Sequence, residues 1–182
     1  TTVKVERLSK ISNSAAKKIT QNRTPRPSSN YLENISQKRM DFKPEIHQHS
    51  AGLILYYDNM NYVNLRKYYS ETLGQSALSI IQLDNGEKEE FLNTRIPVDD
   101  REVYLRLCIR GRQSWFEWGY DGEHFEKIGK VFDTTKYSDE YCKYGEFTGA
   151  FVGLTCADRM KHSHYADFDF FDYEADESKP VD

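Results

Sequence analysis

Apolar and polar side chains alternate from Val103 to Arg110, and this pattern limits the folds open to the chain more than any other. A period of two over such a length predicts a β-strand with one buried face. The turn signals Gly111-Arg112 and Asp121-Gly122 follow at short spacing. Further strands are predicted at residues 51–58, 62–69, 77–83, 114–120 and 125–128. Because no long helical pattern competes with this series, the residues predict an all-β chain folded as an antiparallel sandwich or barrel.

Composition agrees with one all-β domain and argues against two classes of partner. The chain has 182 residues, with 13 Tyr and 10 Phe, and aromatic residues favour strands. The net charge of −4 argues against a nucleic-acid binder held by phosphate contacts. No apolar run approaches the roughly 20 residues that a membrane helix needs. The chain begins at Thr1 without a signal-peptide pattern, which we interpret as a piece of a longer protein or a trimmed form of one.

The chain divides into three regions that differ in composition and in the pattern of apolar residues. We expect residues 1–38 to hold a short strand at Val3 to Leu8 that leads into the sandwich. A polar segment containing Pro25 and Pro27 follows, and it either wraps the surface or links to an upstream part. Residues 39–175 are predicted to form the sandwich. Residues 176–182 are predicted to be an acidic tail that frays.

The three cysteines, Cys108, Cys142 and Cys156, have no CxxC spacing and therefore do not indicate a zinc site. We interpret them as buried or half-buried thiols in a reducing compartment. This predicts a cytoplasmic location.

Two pairs of histidines are each separated by one residue, a spacing that on a strand places both rings on one face. The pairs are His47 with His49 and His162 with His164. A metal ion is one explanation for such pairs, and polar residues flanking strands are the other.

The stretch from Gly145 to Tyr173 predicts two strands that close the fold. Its second strand alternates, with Ala166, Phe168 and Phe170 predicted on the core face and Asp167, Asp169 and Phe171 on the other. We expect Asp167 and Asp169 to form a solvated row. Since carboxylates at a sandwich edge can also hold Ca²⁺, a calcium site at these two residues is the alternative. No other metal and no cofactor is expected.

Aromatic residues on the central strands have two explanations. Phe116, Trp118 and Tyr120 alternate together and are predicted to fill the core between two sheets. Trp115 alternates with Glu117 on the opposite face. These two residues, together with Tyr104, form a candidate platform on which a sugar ring could stack.

A series of motifs resembles a known family. In order, they are Met40-Asp41-Phe42-x-Pro44, Ala51-Gly52-Leu53-x-x-Tyr56-Tyr57, Asn61-Tyr62, Tyr120-Asp121-Gly122-x-x-Phe125-x-x-Ile128-Gly129, Ser138-Asp139-Glu140, Phe147-Thr148-Gly149-Ala150-Phe151-Val152-Gly153 and Ala166-Asp167-Phe168-Asp169-Phe170-Phe171. Between about Phe42 and Tyr173 the chain resembles the C-terminal domain of bacterial β-xylosidases of glycoside hydrolase family 43. That resemblance implies a two-sheet antiparallel sandwich of the jelly-roll, concanavalin-A-like type, which in this family follows a five-bladed catalytic propeller.

The resemblance also implies which domain carries the catalytic residues. The catalytic carboxylates of the family come from the propeller, so no residue of this chain is assigned as a general acid or base. The parent protein would be a β-xylosidase or arabinofuranosidase that degrades oligosaccharides of xylan or arabinoxylan in the bacterial cytoplasm. In related enzymes a loop of the sandwich places an aromatic ring at the active site. We carry this role onto Phe147, followed by Thr148, and the alternative is that Phe147 plugs the end of the sandwich core.

The implied partners are the propeller of the same protein and, through it, a xylo-oligosaccharide. Two other functions stay open. The chain could be a free-standing carbohydrate-binding module that uses the Trp115 platform, or an assembly domain that mediates contacts within a homo-oligomer.

Overall fold

The computed structural model of the protein describes residues 2–11, 34–143 and 149–174. Within these ranges the chain forms twelve β-strands and no helix beyond two short 3₁₀ turns, Leu92–Thr94 and Thr134–Tyr137. In chain order the strands are β1 (Thr2–Ile11), β2 (Asn34–Asp41), β3 (His49–Asp58), β4 (Asn61–Ser70), β5 (Gln75–Asp84), β6 (Glu87–Glu90), β7 (Ile96–Pro97), β8 (Val103–Arg110), β9 (Gln113–Gly119), β10 (Glu126–Asp133), β11 (Phe151–Asp158) and β12 (Ala166–Glu174).

These strands pair antiparallel in two sheets. The first sheet has the order β1-β12-β2-β8-β9-β10. The second has the order β11-β3-β4-β5-β6, and β7 pairs with β5. Strands that are distant in sequence therefore lie side by side, while short hairpins join β3 to β4, β5 to β6 and β8 to β9. The predicted two-sheet antiparallel sandwich is confirmed.

Two tight turns follow from residues that tolerate left-handed backbone angles. Asn85 has φ of 48° and Gly86 has φ of 90°, as a two-residue hairpin turn between β5 and β6 requires. Gly111, with φ of 55°, turns β8 into β9. The alternation predicted on β8 is also present, because Val103, Leu105 and Leu107 are buried between the sheets.

Three aromatic residues fill the interior as predicted, namely Phe116 and Trp118 of β9 and Tyr120 just after it. Phe116 and Trp118 are buried, and Tyr120 packs against the core at its edge. The Phe116 ring meets Phe132 of β10 edge-on, with ring centroids 6.2 Å apart. These rings therefore serve packing and are not available to a ligand.

The predicted faces of β12 are wrong in their second half. Ala166 and Phe168 are buried, but the next core residue is Phe171, which is only 3% exposed. Phe168 pairs with Met40 and Phe170 with Arg39, so one extra residue on β12 forms a β-bulge. A bulge shifts the alternation by one position, and a pattern of strict period two does not include it. The side chain of Phe170 lies outside the described residues.

The N-terminal part contributes to the same sandwich. β1 pairs with β12, and β2 lies between β12 and β8. The predicted boundary at residue 39 falls within β2, which begins at Asn34. The predicted wrapping segment between residues 12 and 33 and the tail at 176–182 lie outside the described residues.

Two lysines lie in the sandwich interior. Lys38 and Lys67 are both 0% exposed. Burial lowers the pKa of each ammonium group, because a charged nitrogen is poorly solvated there. Lys67 donates to the backbone carbonyl of Arg101 at 3.0 Å, so its nitrogen has a partner on the chain entering β8.

The structure agrees with the prediction that the three cysteines are buried or half-buried thiols. Cys108, Cys142 and Cys156 are buried and form no disulfide.

Over the ranges that the structure describes, no helix has the length and apolar character needed to span a membrane.

Candidate functional site

Phe147 and Thr148, the residues predicted to reach a partner's active site, lie outside the described residues. The structure does describe both neighbours of this segment. Lys143 ends the preceding turn, and Gly149, with φ of 69°, leads to Phe151 at the start of β11. Phe151 pairs with Tyr56 of β3, so the segment departs from one end of the second sheet.

We call residues 134–143 the loop base, because they lead directly into the segment with Phe147. The loop base packs across the turns at one end of the second sheet. Asp84, at the end of β5, accepts hydrogen bonds from Lys136 and from the Tyr141 hydroxyl, the latter at 2.8 Å. Burial opposes ionisation of Asp84, but these two donors outweigh it and lower the pKa of the carboxyl. The Asp84 carboxylate therefore holds both ends of the loop base.

A second set of hydrogen bonds continues from the loop base into the hairpin turns. The Lys143 backbone N–H donates to Asn85 Oδ1 at 3.2 Å, and the Asn85 N–H donates to Asn61 Oδ1 at 2.8 Å. The Asn61 amide in turn donates to Asp58 Oδ1 at 3.1 Å. Since Asn61 is fully buried, this series fixes Lys143 relative to the sheet.

The underside of the loop base is part of the core. Tyr137 is buried, and its hydroxyl oxygen accepts a hydrogen bond from Gln82 Nε2 at 3.2 Å. Burial raises the pKa of the Tyr137 hydroxyl above its ordinary value, so the group stays neutral. On the same end of the sandwich, the Tyr57 hydroxyl donates to Asp139. The loop base is thus held by both packing and polar contacts.

The residues of the predicted sugar platform lie on one outer face of the first sheet. Trp115 Nε1 donates to Glu117 Oε1 at 2.8 Å, and Glu117 Oε2 lies 3.4 Å from Arg106 Nη1. Lys127 Nζ lies 4.7 Å from the centroid of the Trp115 ring. Tyr104 is on the same outer face of the first sheet, opposite Gly119. The lysine thus occupies one face of the indole ring on which a sugar would stack.

Asp167 and Asp169 are not part of a cluster of three ligands among the described residues. Asp169 Oδ2 lies 3.0 Å from Arg39 Nη1, and Asp167 pairs across strands with Asp41. The cluster that could hold a metal ion is elsewhere and consists of Glu45, His49 and His164. A calcium site at Asp167 or Asp169 stays a prediction.

The histidine pairs are arranged differently from the prediction that both rings of a pair share a strand face. His47 lies before β3, is exposed and contacts Glu71 at 2.8 Å, whereas His49 is buried at the start of β3. His49 stacks instead on His164, with ring centroids 4.1 Å apart. Burial and the neighbouring His164 lower the pKa of His49. Sequence spacing could not show this contact, because it joins His49 at the start of β3 to His164 in the distant turn after β11.

A shallow recess of about 190 Å³ lies on the outer face of the second sheet. Its lining includes Tyr62, Asn64, Arg66 and Arg159. Arg66 forms an ion pair with Glu90. The recess is smaller than the roughly 300–1,000 Å³ of typical ligand pockets, so it does not by itself indicate a site for an oligosaccharide.

The loop base was missed by the sequence analysis. Of its residues, only the motif Ser138-Asp139-Glu140 stood out in the sequence, and its partner is the distant turn Asp84-Asn85-Gly86. A turn signal reports local backbone geometry, but it does not show that two turns distant in the chain bind each other.

Comparisons with known proteins match the chain to the C-terminal domain of β-xylosidases. A family model described as the β-xylosidase C-terminal concanavalin-A-like domain matches residues 32–174. A β-xylosidase of Bacillus subtilis (strain 168) is 34% identical over 142 residues, covering 76% of this chain and 26% of that protein. A xylosidase/arabinosidase 43B of Humicola insolens is 36% identical over 142 residues, covering 74% of this chain and 26% of that protein.

A solved structure gives the same result. The crystal structure of a xylan β-1,4-xylosidase from Bacillus halodurans C-125 matches with a TM-score of 0.73 and 32% identity, covering 80% of this chain and 28% of that one. The chain spans about a quarter of the length of the curated relatives it matches.

Proposed function

Because the chain belongs to the family of β-xylosidase C-terminal concanavalin-A-like domains, we propose that it is the non-catalytic accessory domain of a β-xylosidase-type glycoside hydrolase. In this proposal the sandwich packs on a five-bladed catalytic propeller and lends Phe147 to the pocket where terminal sugars of xylan or arabinoxylan oligosaccharides are removed. The three thiols without disulfides support a reducing compartment such as the bacterial cytoplasm.

The observation that carries this proposal is the anchoring of the loop base. Asp84 and Asn85 hold Tyr141 and Lys143, and Lys143 is the last described residue before the segment with Phe147. On the other side, Phe151 is fixed by pairing with Tyr56. Such a base suits a loop that must complete a pocket on another domain.

The aromatic ring of Phe147 would act through its shape, by limiting the space in the pocket. A ring that closes one end of a pocket leaves room for a single sugar. The general acid and base would come from the propeller, and the sandwich would supply positioning only. Substituting the ring is then expected to lower kcat/KM while the propeller keeps its carboxylates.

The test is the substitution Phe147→Ala in the enzyme that carries this domain. We expect kcat/KM for xylobiose to fall about tenfold or more, as for other changes in groups that position substrate. Met160→Ala is the control, because Met160 is an exposed apolar side chain in the turn after β11. Unchanged kinetics for Phe147→Ala would contradict the loop role, and turnover of nitrophenyl xyloside by the isolated chain would contradict the non-catalytic role.

The second candidate is a carbohydrate-binding module. The hydrogen bond from Trp115 to Glu117 supports it, because it fixes the plane of a partly exposed indole ring. The position of Lys127 over that ring argues against a carbohydrate-binding module, because the lysine occupies one face on which a sugar would stack. Calorimetric titration of the isolated chain with xylotriose distinguishes the two. Saturable heat that disappears in Trp115→Ala would favour the module, and no heat at millimolar sugar would exclude it.

A further inference from the structure

Three potential metal ligands meet at the end of the second sheet where β3 begins. Glu45, His49 and His164 each offer one ligand atom, and these atoms all lie within 4.8 Å of one another. His49 is buried, His164 is half-buried and Glu45 is exposed. The cluster therefore has a fixed inner side and an open outer side through which an ion and water can enter.

The position of His164 is set by Asp158, the last residue of β11. The Asp158 carboxylate accepts backbone hydrogen bonds from Met160, Lys161, Ser163 and His164, at 2.9 to 3.1 Å. These bonds fold the turn between β11 and β12 around one buried side chain. Asp158 also pairs in register with His49, so the same residue holds His164 in the turn after β11 and lies beside His49 at the start of β3.

The hydrogen bonds of the two rings fix which nitrogen carries the proton, and a metal ion at His49 Nδ1 would replace the backbone N–H of Glu45 that its lone pair now accepts. His164 Nε2 lies 2.8 Å from the backbone oxygen of Lys43, and a carbonyl oxygen only accepts, so Nε2 carries the proton. His49 Nδ1 accepts the backbone N–H of Glu45 at 3.3 Å, so Nδ1 is unprotonated. Its Nε2 lies 3.6 Å from Asp158 Oδ1. In both rings, the Nε2 atom thus faces an oxygen acceptor and Nδ1 has the lone pair.

This is the arrangement that metal-binding histidines adopt. A ligating imidazole usually gives its other N–H to a carboxylate or a backbone carbonyl, which fixes the ring and its tautomer. Here the Lys43 carbonyl takes that role for His164, and the Asp158 carboxylate lies 3.6 Å from Nε2 of His49. Two imidazoles and one carboxylate suit Zn²⁺ and its neighbours in the first transition row, whereas Ca²⁺ and Mg²⁺ prefer an all-oxygen set.

We propose that Glu45, His49 and His164 form a binding site for a divalent transition-metal ion, with Zn²⁺ the ion that fits best and water completing its coordination. Binding would tilt the stacked rings apart, because a metal lies in the plane of each imidazole that binds it. The site would join the segment before β3 to the turn after β11. It lies a strand length, about 30 Å, from the loop base, so its role is stabilisation of the sandwich and not contact with substrate.

The test uses the whole chain, stripped of metal with a chelator and titrated with Zn²⁺ by calorimetry. We expect one equivalent to bind and the melting temperature to rise, with no such effect from Ca²⁺ or Mg²⁺. Zn²⁺ should also shift the imidazole nitrogen resonances of His49 and His164 and leave those of His124 unchanged.

Variants decide whether the named residues are the ligands. His164→Ala and Glu45→Gln should each weaken Zn²⁺ binding at least about tenfold. His47→Ala is the matched control, because His47 is exposed, bound to Glu71 and close in sequence. Glu45 is exposed, so Glu45→Gln keeps the fold even if His164→Ala does not. Absence of saturable binding, or equal affinity in wild type and Glu45→Gln, would overturn the proposal, as would a loss confined to His47→Ala.

Discussion

The side-chain nitrogen of Lys38 donates a hydrogen bond to the backbone oxygen of Gly52 and so connects the two sheets through the core. Lys38 belongs to β2 of the first sheet, and Gly52 belongs to β3 of the second. The same nitrogen lies 4.1 Å from the centroid of the Phe168 ring. Among the residues that the structure describes, the buried nitrogen contacts one carbonyl and one aromatic face and no carboxylate.

Replacing Lys38 with Met is expected to stabilise the protein. Methionine has a similar length and loses nothing on burial, whereas the lysine nitrogen must give up its hydration or its proton. We expect the free energy of unfolding at neutral pH to rise by about 1–3 kcal/mol. Urea denaturation checks this, with Lys143→Met on the exposed loop base as the control. A clear loss of stability would show that the bond to Gly52 outweighs the cost of burial.

The same substitution should change the pH dependence of stability. Burial lowers the pKa of Lys38 well below its ordinary value of 10.5. Between the folded-state pKa and 10.5, the unfolded chain binds the extra proton, so the free energy of unfolding rises as pH increases. Lys38→Met should reduce this slope, and Lys67 retains its own contribution. Denaturation midpoints at several pH values between about 7 and about 10 measure the slope, and identical slopes would contradict the expectation.

Gly52 is expected to tolerate no side chain. A Cβ atom there would lie 1.9 Å from the backbone oxygen of Leu65 and 2.8 Å from the Cα of Arg66 on β4. Because both are backbone atoms within a sheet, they cannot move aside cheaply. Gly52→Ala should reduce the free energy of unfolding by about 3 kcal/mol or prevent folding. The matched control is Gly153→Ala on the neighbouring strand β11.

A Cβ atom at Gly153 would meet only the Ile54 side chain, at 3.7 Å. We expect Gly153→Ala to change stability by less than about 1 kcal/mol. Similar losses in the two variants, measured by thermal denaturation, would mean that strand glycines matter here for a reason other than close backbone contact.

Asp158 should make the fold sensitive to acid. Burial disfavours its charge, but four backbone N–H donors outweigh this and hold the pKa of the carboxyl well below its ordinary value of 3.8. Its contribution is therefore complete above about pH 4 and lost as pH falls below that value. Asp158→Asn should lower the melting temperature at neutral pH and weaken the dependence on pH below about 4.

The control for Asp158 is Glu123→Gln, an exposed acidic residue in the turn before β10. Thermal melts at neutral and acidic pH compare the two variants. An acid profile for Asp158→Asn that matches the wild type would show that the turn between β11 and β12 does not depend on the charge.

The loop base should loosen when Asp84 is removed. Asp84→Ala eliminates the acceptor for Lys136 and Tyr141, so the backbone amides of residues 134–143 should exchange hydrogen faster. Glu89→Ala removes an exposed contact with Lys130 at 3.4 Å and serves as the control. If Asp84→Ala leaves exchange in the loop base unchanged, the packing of Tyr137 and the hydrogen bonds to Asn85 and Tyr57 hold it without the carboxylate.

Alternation along the chain determined the class of the fold. Val103, Leu105 and Leu107 predicted the inner face of β8, and Phe116, Trp118 and Tyr120 predicted the interior, because a strand of period two places alternate side chains on one face. The turn residue Gly111 predicted the hairpin between β8 and β9, since its backbone angle is a local property.

Only the tertiary structure decided the features that depend on pairing between distant strands. The bulge that brings Phe171 into the core arises between β12 and β2, and local periodicity cannot report it. Lys38 appeared to belong to a polar segment and is in fact buried, because its position depends on Gly52 and Phe168. The sequence by itself thus determined which residues alternate and turn. The meeting of His49 with His164, and of the loop base with Asp84, required the sheets to be assembled, since those contacts join residues far apart in the chain.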